Sequence, residues 1–243
     1  MRKIVLVLFA VLAISATQAQ DAFNIQMEVY KTSLKYYDLQ SAITSLYTAL
    51  AIKPERKDLK DSLALIYFSG ERYFQANVIA EEIIKDNPKR LDMLEMAAIS
   101  KQSLGALKES LADYESLYKQ KPDLYSLYQI ATLQYQLKRY GESVISCDQI
   151  IANPESEKLE ASISMKGGSQ KVPLRAASHN VKGIIAMDLN QPDVAKLEFE
   201  TALKLFPDFA LAQGNLAALA QNKKAATPAP TTKPQTPAKP AGK

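Results

Sequence analysis

Three prolines, Pro54, Pro88 and Pro122, stand 34 residues apart, and each closes a stretch of matching helical pattern. Self-similarity at a fixed period of this length means pairs of helices, each pair too small to bury its own apolar face. Proline sets the ends, because it lacks an N–H and biases the residue before it away from helical backbone. A stack of such pairs offers a long surface to a partner and rarely carries chemistry.

Aligning the three prolines brings other positions into register. Twelve residues before each proline stands a small side chain, Ala42, Ala76 or Ser110, and five before it an apolar one, Ala49, Ile83 or Leu117. Leu63, Ala64 and Tyr67 mark the first helix of the second pair, with Ala97 and Ala98 similarly placed in the third. Small residues let two helices approach, and large ones three or four positions away fill the space around them. Tyr140, Ser143, Cys147 and Ile150 outline a fourth pair that closes slightly short at Pro154. Gly183, Ala195, Phe199, Ala202 and Pro207 outline a fifth, and a final amphipathic helix over residues 208–221, with Asp208 as its N-cap, covers the last apolar surface.

This pattern resembles the tetratricopeptide repeat, a two-helix unit of 34 residues. The resemblance covers residues 22–222 and is best in the fifth pair. It departs there at His179, which holds a usually bulky position, and at Lys182, which holds a usually apolar one. It implies an all-α fold: a right-handed superhelical stack of about five helix hairpins plus a capping helix.

Between the fourth and fifth pairs lie 19 extra residues, within residues 156–175. Leu159, Ala161, Ile163 and Met165 alternate there with Glu160, Ser162, Ser164 and Lys166; Gly167-Gly168 follows, and Val172 and Leu174 alternate with Lys171 and Arg175. Period-two alternation on both sides of a Gly-Gly turn predicts a β-hairpin insertion rather than a disordered loop.

The two ends read differently from the body. Arg2 and Lys3, an apolar run over residues 4–16 and the small-residue site Thr17-Gln18-Ala19 have the form of an export signal, residues 1–19. The run has about 13 residues, whereas a bilayer span needs ~20, so a cleaved signal is favoured over a retained anchor, leaving no membrane span after its removal. Residues 223–243 are mostly Pro, Ala, Thr and Lys, with little to bury, which predicts a disordered tail. The tail serves as a soluble spacer or makes weak contact with anionic envelope polymers. Seven of the 30 basic residues lie in these two segments, which leaves 23 against 26 acidic ones. A slightly negative body lacks the footprint of a nucleic-acid binder.

No constellation of residues points to an enzyme, a cofactor or a metal. A triad or imidazole site would rest entirely on His179, whose position is one of helix packing. Cys147 is the single cysteine and sits on an apolar helix face, where a free thiol behaves as a small hydrophobe. The family resemblance implies instead a concave face, lined by first helices, that grips a segment of a partner protein. Carried over by position, that face holds Asp58, Asp61, Asp92 and Glu95, with Tyr125, Tyr128 and Gln129 from the fourth pair. An acidic wall beside tyrosines fits a basic or mixed segment; the same tyrosines could instead be core, and the same acids a solvated face. Met27, Lys31, Asp61 and Glu95 stand where some relatives clamp a carboxyl terminus, so that clamp is not expected. The expectation is an exported scaffold or adaptor of the bacterial periplasm or cell envelope. The alternative is a structural or self-associating module tethered by its basic tail.

Overall fold

The computed structural model describes the backbone of residues 2–165 and 168–226 and the side chains of residues 17–165 and 168–221. Eleven α-helices and one two-stranded sheet are formed among them. The chain divides into two compact units, Met1–Pro122 and Asp123–Lys243. The first holds α1 (Arg2–Lys35), α2 (Leu39–Ile52), α3 (Asp58–Ser69), α4 (Tyr73–Asp86), α5 (Leu91–Ser103) and α6 (Leu107–Gln120). The second holds α7 (Leu124–Gln136), α8 (Tyr140–Ala152), β1 (Glu160–Met165), β2 (Gly168–Pro173), α9 (Leu174–Asp188), α10 (Pro192–Leu205) and α11 (Ala210–Ala226). Side chains of the expected signal up to residue 16, the turn residues 166–167 and the expected tail beyond residue 226 lie outside the described residues.

Consecutive helices pair as antiparallel hairpins, and the residues that recur in the sequence are the ones that meet. The small positions Ala42, Ala76, Ser110, Ser143 and Ala195 are fully buried, as are the large ones four later in the first and last pairs, Leu46 and Phe199. Where the small residue is serine, its hydroxyl finds a partner across the hairpin: Ser110 donates to the Ala98 carbonyl at 2.8 Å and Ser143 to that of Ala131 at 2.7 Å. Each satisfied hydroxyl keeps the close approach without an orphaned polar group. The fourth pair closes short because α8 has 13 residues where α2, α4, α6 and α10 have 14.

The turn inside each hairpin repeats as strictly as the prolines. Tyr37, Glu71, Gly105, Lys138 and Asn190 all have φ between 56° and 79°. Each stands just past its helix. The following N–H reaches back to the third-last helical carbonyl, as Asp38 does to Ser33 at 2.9 Å and Arg139 to Gln134 at 2.8 Å. This is the Schellman closure, which Gly105 favours most and Asn190 next, whereas Tyr37, Glu71 and Lys138 adopt it against their preference. Left-handed backbone costs a residue with a Cβ roughly 1–2 kcal/mol, of which the extra freedom of unfolded glycine takes back about 0.5–1 kcal/mol. Glu71→Gly and Lys138→Gly are therefore each expected to raise the denaturant midpoint, by an amount worth up to about 1 kcal/mol, and Gly105→Ala to lower it.

The insertion is the expected hairpin. β1 and β2 pair antiparallel in the register Ala161↔Val172 and Ile163↔Gln170. Ala161 and Val172 face inward and are buried, while Ser162 and Ser164 point to solvent. Two strands alone are marginal in water. Here they run directly into α9, with the Leu174 N–H bonded to the Leu159 carbonyl at 2.8 Å. Arg175 fastens the base, donating to the Ser156 hydroxyl at 3.1 Å and the Asn153 carbonyl at 3.2 Å and pairing with Glu157.

Candidate functional site

In the first unit the candidate residues sit on the first helices of the second and third hairpins, at matching repeat positions. Asp58 and Asp61 start α3; Asp92 and Glu95 start α5. Three of these four acids are already occupied. Arg56 grips Asp58 with two bonds of 2.7 and 2.6 Å, and Arg90, 34 residues later, grips Asp92 the same way at 2.9 and 2.7 Å. Arg90 also reaches Asp61 at 3.0 Å. The paired guanidinium holds the carboxyls of Asp58 and Asp92 below their ordinary range. Lys57 pairs with Asp86 and Lys60 with Glu82, so the hollow of about 270 Å³ beside them is lined by charges that neutralise one another. The expected acidic wall thus narrows to Glu95, which has no ion-pair partner among the described residues.

Two apolar residues accompany it that sequence reasoning left out. Leu65 is 53% exposed, and Ile99 stands 34 residues later on α5, half-buried, one turn beyond Glu95. Lys31 holds the same position on α1 and pairs with Glu28. The row Lys31, Leu65, Ile99 is legible as a 34-residue repeat, but apolar residues on a helix are ordinarily assigned to the core.

In the second unit the three candidates on α7 separate. Tyr125 is 40% exposed and Gln129 half-buried, so both present surface. Tyr128 is a core residue at 8% exposure, its phenol pushed well above the usual range by burial. It shares the inward side of α7 with Leu127, Ala131 and Leu133.

His179 is partnered. Its Nδ1 lies 2.6 Å from Glu198, which also takes a bond of 3.0 Å from Lys182, and Lys182 reaches Asp148 at 2.8 Å. This network ties α8, α9 and α10 and explains how a histidine stands at a usually bulky position of the repeat and a lysine at a usually apolar one. Burial alone would raise the Glu198 carboxyl, but the bonds from His179 and Lys182 outweigh it, and the net shift is downward. Cys147 is fully buried, which pushes its thiol up to about 12. A thiol so placed is a packing group rather than a nucleophile. Among the described residues no cluster of three or more metal-ligating side chains is gathered, and no helix is long and apolar enough to cross a membrane.

No family model matches the sequence, and no curated protein matches it. Solved structures do. A tetratricopeptide repeat protein from Parabacteroides merdae ATCC 43184 superposes with a TM-score of 0.64 at 20% identity, covering 84% of this chain and 75% of that one. The chain has the tetratricopeptide-repeat fold. YrrB, a tetratricopeptide-repeat protein with an unusual peptide-binding site, superposes at 0.60 with 13% identity, covering 78% of this chain and 89% of that one. MamA from Desulfovibrio magneticus RS-1 gives 0.59 at 10% identity, covering 78% and 97%. At these identities the likeness is one of tetratricopeptide architecture.

Proposed function

We propose that this protein is a non-catalytic binding scaffold that holds a segment of a partner protein against its first helices. The observation that carries the reading is the face of α3 and α5. Leu65 is exposed, Ile99 lies at the matching place on the next hairpin, and Glu95 is the acid there without an ion-pair partner. An apolar contact beside a free carboxylate fits a segment in which an apolar side chain neighbours a lysine or arginine. The stack fixes these groups before binding, so little ordering entropy is lost on capture. Tyr125 and Gln129 supply a corresponding surface on α7. The peptide-binding site of YrrB, on a similar fold, supports the same use of the architecture. The signal-like start at Arg2, Lys3 and Ala19 supports export, with the bacterial periplasm or cell envelope as the place of work.

The test is capture from envelope extract by the full chain and by a Leu65→Ala/Glu95→Lys variant. Both residues lie outside the fully buried core, so helicity and melting are expected to stay the same while the captured partner is lost, about tenfold or more in affinity. Equal capture by the two chains would reject the face.

A further inference from the structure

The capping helix α11 lacks a cap of its own. It begins at Ala210, two residues past Asp208, and the residue before it is Phe209, which has no side-chain acceptor. The expected N-cap role of Asp208 is filled from the insertion instead. Gln170 on β2 accepts a hydrogen bond from the Ala210 N–H at 3.2 Å and donates one to the Asp208 carbonyl at 2.6 Å. Among the described residues this amide is the hairpin side chain that hydrogen-bonds the α10–α11 turn, and it does so through both of its ends. The dependence runs both ways, since two strands need an outside support and a helix start needs its N–H groups satisfied.

What α11 covers is apolar. Leu216 and Leu219 pack on a cluster of Ala186, Ala195 and Phe199 with Ile184 and Met187 beside it. Its outer face has few large groups, with Gln213, Gly214, Ala217 and Ala218 exposed. One further polar tie holds it down, Asn215 donating to the buried Asn180 at 2.9 Å.

We propose that the β1–β2 hairpin and α11 form a single opening unit latched by Gln170, a lid that lifts from α9 and α10 while those helices stay folded. The latch joins β2 to the α10–α11 turn. The hairpin's base is pinned separately by Arg175, so the unit pivots there while Gln170 keeps its two parts moving together. Opening presents Met187, Ile184 and Phe199, the apolar surface that Leu216 and Leu219 of α11 otherwise cover.

Hydrogen exchange on the full chain tests this, because local opening is read amide by amide. Gln170→Ala is expected to speed exchange about tenfold, the effect of losing two ordinary hydrogen bonds, over residues 160–173 and 210–221 together, with α9 and α10 unchanged. Asn215→Ala loosens α11 from its other side and is expected to speed the hairpin as well, since coupling is reciprocal. Either segment responding alone, neither responding, or α9 and α10 accelerating with them would overturn the latch.

Discussion

Phe199→Ala is expected to cost about 3–5 kcal/mol, the range for emptying the site of a large buried aromatic residue. Phe199 is fully buried, and its ring packs against Gly183 of α9. The contact is so tight that a Cβ on Gly183 would stand 2.4 Å from the ring. Gly183→Ala is therefore expected to lose about 1–3 kcal/mol through overpacking, although alanine suits a helix interior better than glycine does. The two positions also answer for each other. Sixteen residues separate them, and the same spacing elsewhere holds Ala98 with Tyr114 and Ala131 with Cys147, all buried. Gly183→Ala combined with Phe199→Leu should recover part of the Gly183→Ala loss, because the smaller side chain leaves room for the methyl. Chemical unfolding of the four chains closes the cycle; strictly additive losses would mean that the ring and the glycine do not share one space.

Such packing positions are legible in the sequence, since they recur at a fixed period and need only residue sizes. The prolines, the small positions and the alternation of the hairpin all belong to this class. Long-range chemistry is not. Arg56 and Arg90 stand two residues from the acids that they grip, so the Arg-x-Asp repeat was in plain view. Residue type alone makes these acids an acidic wall, whereas the guanidinium beside each of Asp58 and Asp92 neutralises it. Repeat position allows Tyr128 to face either the groove or the core, because the aromatic bulk that makes a good contact also makes a good core, and burial puts it in the core. The left-handed turns were hidden because four of the five carry a side chain, and tertiary pairing outweighs the local preference for glycine. Gln170 and Ala210 lie 40 residues apart, a separation at which no local rule links an amide to a helix start.

The other large effect belongs to the polar network. Glu198→Gln keeps the shape but removes the charge that faces Lys182 and His179, and is expected to cost about 2 kcal/mol at pH 7, in the range for hydrogen bonds to charged groups. The Glu198 side chain is 13% exposed and that of His179 15%, so water screens the loss only partly. The pH dependence follows from the direction of the shift. Folding lowers the Glu198 carboxyl below its ordinary value of 4.5, so the unfolded chain holds its proton more tightly. The stabilisation is complete above the ordinary value and disappears as pH falls through the folded one. Thermal unfolding of the two chains should accordingly differ at pH 7 and converge as pH falls from 4.5 through the lower, folded value. A gap that persists undiminished into acid would mean that the cost comes from shape rather than charge, and the network would then be a packing feature with incidental polarity. The outcome bears on the repeat itself: Lys182 occupies a usually apolar place and His179 a usually bulky one, and a charged Glu198 is what lets the fifth hairpin accept them.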